Sequence, residues 1–241
     1  MTRCDASARR EPSRGGSGYY AVVSPPGSVR LLRVASRAAP AAPAHGSEPH
    51  GDGPSDAELA ELARAKDPRA ATLIWNRYAE LVRGVLHRSL GPGHEVEDLL
   101  QDVFVGFFRN VSTLRDPSSL RPFLVGIALR TARTCLRRRR VRRWLRLSDD
   151  GALPEVVWGG DDPRAREAVQ RLYAVLDDLP DRERLAFVLR HAEGNELTET
   201  AALLGVSLAT VKRILQRAEA HVEARAREDD VLRAWTEGSD A

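Results

Sequence analysis

The chain has 241 residues with 37 basic and 34 acidic side chains, a formal net charge of +3, and that length suits one large domain or two small ones. Its two cysteines, Cys4 and Cys135, exclude a disulfide framework and a cysteine-built zinc site, and no apolar run approaches the roughly 20 residues needed to span a bilayer. With no signal-peptide pattern at the start, and with few aromatics among many alanines, leucines, arginines and glutamates, a reduced, cytoplasmic, helical protein without membrane insertion is expected.

Residues 1–54 draw 30 of their 54 positions from Gly, Pro, Ser and Ala. Their apolar stretches, Tyr19–Val23 and Leu31–Val34, are too short to bury a core, so a disordered N-terminal tail is expected. Ordered sequence begins at Ser55. A short helix over Asp56–Lys66 is capped by Ser55 or Asp56 and ends at Asp67-Pro68. The next runs over Arg69–Leu90, where Leu73, Ile74, Tyr78, Leu81, Val82, Val85 and Leu86 recur at helical spacing, until Gly91-Pro92-Gly93 stops it.

The third helix, Glu95–Val111, has the cleanest period in the chain: Val96, Leu99, Leu100, Val103, Phe104, Phe107 and Phe108 form one broad apolar stripe. Opposite it lie Asp98, Gln101, Asp102, Val105 and Arg109, with Gly106 alongside. A polar ridge bearing an exposed valine suits docking by another helix. The fourth helix follows Asp116-Pro117 with Ser118 or Ser119 as cap. It buries Leu120, Phe123, Leu124, Ile127 and Ala128, then runs into Leu136-Arg-Arg-Arg-Arg140.

Residues 55–143 carry a net +7, and 121–143 hold nine arginines and no acid. Arg130, Arg133, Thr134, Arg137 and the arginines after them line a surface fit to track a phosphate backbone. Residues 144–164 carry −3 and read as an acidic, flexible linker. Helices over Arg164–Asp178, Asp181–His191, Glu196–Leu204 and Leu208–Ala226 form a second domain. Residues 228–241, at −4, read as an acidic C-terminal tail. The fold class is all-α, two small helical domains on a tether.

Leu197–Arg217 has the spacing of a helix-turn-helix. Ala201 sits on the first helix, Gly205 supplies the tight turn, Val206 plugs it, Ser207 caps the second helix, and Val211 and Ile214 face inward. Thr210, Lys212, Arg213, Gln216 and Arg217 point outward with Ser207 at the tip, residue types suited to phosphates and base edges. Glu219 would repel phosphate, and Thr200 stands where a larger apolar residue is usual. No catalytic constellation emerges. The six histidines have no metal-ligand spacing and no phosphate-binding glycine loop occurs, so neither metal nor cofactor is expected.

Asp98-Leu-Leu-Gln-Asp-Val-Phe104 resembles the core-binding signature of sigma-70-type RNA polymerase sigma factors. Phe123-Leu-Val-Gly-Ile-Ala128 with its arginine run resembles their promoter-melting, −10-reading segment. Leu179-Pro-Asp-Arg-Glu-Arg184, His191-Ala-Glu-Gly194 and the helix-turn-helix with Thr210-Val-Lys-Arg213 resemble their −35-reading domain. Two such domains in direct succession resemble the extracytoplasmic-function group over Ser55–Arg227. Phe123-Leu124-Val125 departs from the Trp-Leu-Tyr common there.

The resemblance implies a non-enzymatic initiation factor. Core RNA polymerase would be the partner through its β′ clamp helices and β flap, with Asp98, Gln101, Asp102, Val105 and Arg109 binding the clamp helices. The acidic linker would thread toward the catalytic cleft. Phe123, Arg130, Arg133, Thr134 and Arg137 would meet the −10 region, with Trp144 as a further ring. Ser207, Thr210, Lys212, Arg213, Gln216 and Arg217 would read the −35 element. An anti-sigma factor controlling a stress or envelope regulon is a further implied partner. Rival readings are a stand-alone helix-turn-helix repressor or activator and a recombinase-like enzyme; the latter lacks a nucleophile cluster.

Overall fold

The computed structural model describes residues 53–91, 96–144 and 163–237, and no strand occurs among them. All but the last two residues of the expected disordered tail, and most of the acidic linker, lie outside the described residues. Four helices form the first bundle: α1 (Asp56–Arg64), α2 (Pro68–Leu90), α3 (Val96–Asn110) and α4 (Leu120–Trp144). Five form the second: α5 (Pro163–Asp178), α6 (Asp181–His191), α7 (Leu197–Leu204), α8 (Leu208–Glu228) and α9 (Asp230–Glu237).

The caps explain the boundaries. The Ser55 hydroxyl accepts from the Glu58 amide while the Glu58 carboxylate accepts from the Ser55 amide at 2.7 Å, a closed capping box. Helix α1 ends two residues earlier than its sequence suggests, because Lys66 takes a left-handed φ of 57°. The Asp67 carboxylate then caps α2 by accepting from the Arg69 amide at 2.9 Å. Hydrogen bonds from the Arg69 side chain and amide hold that carboxyl down at about 2. Before α4 the cap is Asp116 rather than Ser118 or Ser119. Its carboxylate accepts from the Ser118 amide at 3.0 Å and opens a 3-10 turn, Pro117–Ser119, ahead of the helix.

The apolar stripes pack as their spacing requires. Ile74, Val82, Leu86, Leu100, Val103, Phe107, Leu120, Leu124 and Ala128 are buried in one core. In the second bundle α5, α6, α8 and α9 share a core built on Leu172, Leu176, Phe187, Val222 and Leu232. Helix α9 was not legible in the acidic tail. The Asp229 carboxylate caps it, accepting from the amides of Val231 and Leu232 at 3.0 and 3.1 Å. Leu232 is fully buried.

The bundles meet along α6. Residues Arg184 to Leu189 are consecutively buried, which a helix permits only when it is covered on every side. Leu185 and Leu189 belong to the first bundle's core, whereas Phe187 and Val188 belong to the second's. At the same seam the end of α2 finds its hydrogen-bond donors. A helix leaves its last four carbonyls unsatisfied, here those of residues 87–90. The Gly91 amide donates to the His87 carbonyl at 2.8 Å. The Tyr173 hydroxyl donates to that of Arg88 at 3.2 Å. Arg184 donates from Nε to Ser89 at 2.8 Å and from Nη2 to Leu90 at 2.6 Å.

Two substitutions test the less obvious supports. Leu232→Ala is expected to lower the unfolding free energy by about 2 kcal/mol, the low end for a buried leucine because a terminal helix can relax around the gap. A change within about 0.5 kcal/mol in chemical denaturation would mean that the segment is only a tail. At the turn between α7 and α8, Gly205 has φ 64° and ψ 40°, and a β-carbon added there would find no atom within 4 Å. Gly205→Ala is therefore expected to cost about 1 kcal/mol from backbone strain alone, with Gly205→Asn costing less. Equal losses in thermal denaturation would point to a packing clash instead.

Candidate nucleic-acid interface

Helix α8, the second helix of the helix-turn-helix, is positioned by its buried side. Val211, Ile214, Leu215 and Ala218 are buried, and Val206 closes the turn against Ala201 and this cluster. The Ser207 hydroxyl accepts from the Thr210 amide at 3.2 Å, satisfying one of the free amides at the helix start. Thr200, too polar for its place by its sequence position alone, is fully buried. Its hydroxyl donates to the Glu196 carbonyl at 2.9 Å, so it needs no other partner.

Lys212, Arg213, Gln216 and Arg217 are exposed on one face, with Ser207 exposed and Thr210 half-buried at its start. Arg217 points outward, its side chain 68% exposed, and also pairs at 3.3 Å with Glu183 of α6. Glu219 does not face a phosphate: it meets His191 Nε2 at 2.9 Å, and both side chains are largely buried. The charge that would repel DNA is turned into the domain, leaving the exposed side of this stretch cationic.

On α4, Arg130, Arg133, Thr134 and Arg137 are exposed along one flank. The Thr134 hydroxyl donates to the Arg130 carbonyl at 2.9 Å, which leaves that oxygen free to accept. Phe123 lies two turns before Arg130, half-buried, with its ring edge-on to Phe107 at 6.1 Å between centroids. Phe123 and Arg130 both line an open cleft of about 450 Å³ between the bundles, with Val125, Gly126, Glu193 and Leu203. The side chain of Trp144 lies outside the described atoms.

Asp98, Gln101, Asp102, Val105 and Arg109 are all exposed on α3, and Val105 is 46% exposed. Gly106 turns inward instead; a side-chain carbon there would touch Ile127 at 3.5 Å. Sequence periodicity missed Trp75 of α2, exposed and leaning on Phe104 at 4.7 Å between centroids. It also missed the buried charges at the seam, Arg88, Arg184 and Glu193. Among the described residues no cluster of acidic, histidine or cysteine side chains fits a metal ion, and no helix is long and apolar enough to cross a membrane.

Residues 74–142 match the family model for sigma-70 region 2, and residues 169–222 match that for sigma-70 region 4. The chain is 25% identical over 178 residues to the ECF RNA polymerase sigma-E factor of Escherichia coli, covering 70% of this chain and 93% of that protein. It is 32% identical over 146 residues to the ferric citrate uptake sigma factor FecI of Escherichia coli, covering 56% of this chain and 79% of that one. The fold is shared with CnrH, solved in complex with the cytosolic domain of CnrY, at 24% identity and a TM-score of 0.52, over 73% of this chain and 99% of that one. With both regions in order and that extent of identity, the chain belongs to the extracytoplasmic-function group of sigma-70-type RNA polymerase sigma factors.

Proposed function

We propose that the three exposed surfaces divide promoter recognition among them. The α3 ridge holds core polymerase at the β′ clamp helices, the arginine flank of α4 takes the −10 region, and α8 reads the −35 element. The observation that carries this reading is the exposure of all five ridge residues together with the outward face of α8, while their neighbours are buried. Cations on α8 and α4 supply phosphate contacts, and Arg213 and Gln216 have the chemistry to read base edges. With Phe123 edge-on to Phe107, few rings remain for stacking unpaired bases. Weak melting and a demand for near-ideal promoters follow. An anti-sigma factor is a further partner in this reading, in keeping with the CnrY domain bound to CnrH.

Run-off transcription with core enzyme on genomic fragments tests the whole reading against a stand-alone repressor or activator, which would bind an operator tightly without polymerase. Asp102→Arg with Gln101→Ala is expected to weaken association with core, because it inverts charge at a polar docking face. Helical content should stay unchanged, since both residues are exposed. Co-purification at normal affinity would remove the ridge from the interface.

For α8, a randomised-promoter selection is the measurement. Arg213→Ala and Gln216→Ala should each relax the upstream element at particular bases, at about 1–3 kcal/mol per lost base contact. Lys212→Ala should weaken all promoters alike and flatten the salt dependence, as loss of a phosphate contact does. An upstream element identical to the parent's in the Arg213 and Gln216 variants would move specificity elsewhere.

A further inference from the structure

Two arginines of α8 pair with acids outside their own helix, on different footings. Near the C-terminal end Arg225 meets Asp178 at 3.9 Å with both side chains about half exposed, a loose surface pair of the kind that adds little to stability. The pair of Arg217 with Glu183 is lopsided. The Glu183 side chain is 14% exposed and that of Arg217 68%, so the protein holds the carboxylate while the guanidinium reaches past it into solvent. The closest approach runs from Arg217 Nε to Glu183 Oε1 at 3.3 Å. Held at Nε, a guanidinium still offers its two terminal nitrogens as a fork, the geometry that matches O6 and N7 of guanine.

Glu183 is placed to hold and not to follow. It stands in the first turn of α6, where the free amides of a helix start favour a negative charge. Helix α6 is fixed against α8 by Phe187 and Val188, which share a core with Ala218 and Val222. Arg217 is exposed on the same face of α8 as Arg213, four residues earlier, and Gln216.

We infer that Glu183 is a positioning residue for base readout: it sets the direction of the Arg217 guanidinium so that its terminal nitrogens meet one guanine of the −35 element. This rests on the assignment of α8 to that element. A free arginine side chain loses much rotamer freedom on docking, and one held in advance loses less. A carboxylate beside a DNA-binding face also repels phosphate. Glu183 therefore lowers affinity for DNA at large while raising discrimination at one base pair, a combination that neither a purely structural nor a purely electrostatic role produces.

The test compares the full chain as wild type, Glu183→Gln, Glu183→Ala, Arg217→Ala, and Glu183→Ala with Arg217→Ala. Run-off transcription with core enzyme, on promoters in which each base pair of the upstream element is varied in turn, reads discrimination. Titration of a short duplex of arbitrary sequence reads general affinity. Arg217→Ala should reduce the preference for guanine at one position by about tenfold, as loss of a bidentate contact does. Glu183→Ala should reduce it at the same position by about threefold, half that effect on a logarithmic scale. The double variant should lose no more than Arg217→Ala alone. Glu183→Ala should also bind the arbitrary duplex about twofold more tightly, through loss of one screened repulsion. Glu183→Gln keeps an oxygen for Nε and drops the charge, so it should retain the guanine preference and show the same gain on the arbitrary duplex.

A change in Glu183→Ala that is equal on every promoter overturns the inference, because charge or stability alone acts without regard to sequence. A double variant that loses more than Arg217→Ala overturns it too. If Arg213→Ala and Gln216→Ala relax the upstream element while Arg217→Ala does not, the inference falls and the assignment of α8 stands. If none of the three relaxes it, that assignment falls and the inference falls with it.

Discussion

The architecture depends on the unfinished end of α2. Its last carbonyls receive donors from the second bundle, chiefly from the guanidinium of Arg184. A cation at that end also suits the partial negative charge of a helix C-terminus. Taking a guanidinium out of water is costly, and burial pushes that of Arg184 below its ordinary range. The cost is offset on three sides: Asp177 pairs with it, the Tyr173 ring lies 5.7 Å from its central carbon, and the two carbonyls accept from it. Glycine at 91 follows from the same packing. With φ 83°, a side-chain carbon there would sit 2.6 Å from the Tyr173 ring, so the turn that ends α2 is fitted to the ring that caps it.

What could be read from sequence was what repeats. The stripes of α2 and α3 and the helix-turn-helix spacing each rest on several residues that agree, and their helices start and stop within a few residues of expectation. The exposed ridge of α3 followed from the same arithmetic. The seam was not readable, because its determinants are single charged residues that periodicity assigns to solvent. Arg88 and Arg184 look like surface arginines until a second element far along the chain covers them. Helix α6 hides its role for a related reason: covered all round, it has no polar face to set a period. Glu219 and Thr200 looked like flaws for want of His191 and the Glu196 carbonyl, partners that only the fold supplies.

The two cationic surfaces are supported differently. On α8 the outward side chains stand on a helix fixed by a cap, a turn and a buried row, the rigidity that base readout requires. On α4, Arg133, Arg137 and Arg138 follow one another along an exposed flank, an array that suits backbone tracking more than base discrimination.

The sharing of α6 has a consequence for synthesis. Domains generally form in the order in which they leave the ribosome, at about 5–20 residues per second. The first bundle's last helix ends at Trp144, some forty residues before Leu185, so its four helices can pack together while the second bundle is still emerging. Leu185 and Leu189 then meet a finished apolar surface as they appear, which shortens the interval in which a nascent chain exposes them to other nascent chains. The amino-terminal half thereby serves the carboxy-terminal half as a folding template before either touches a nucleic acid.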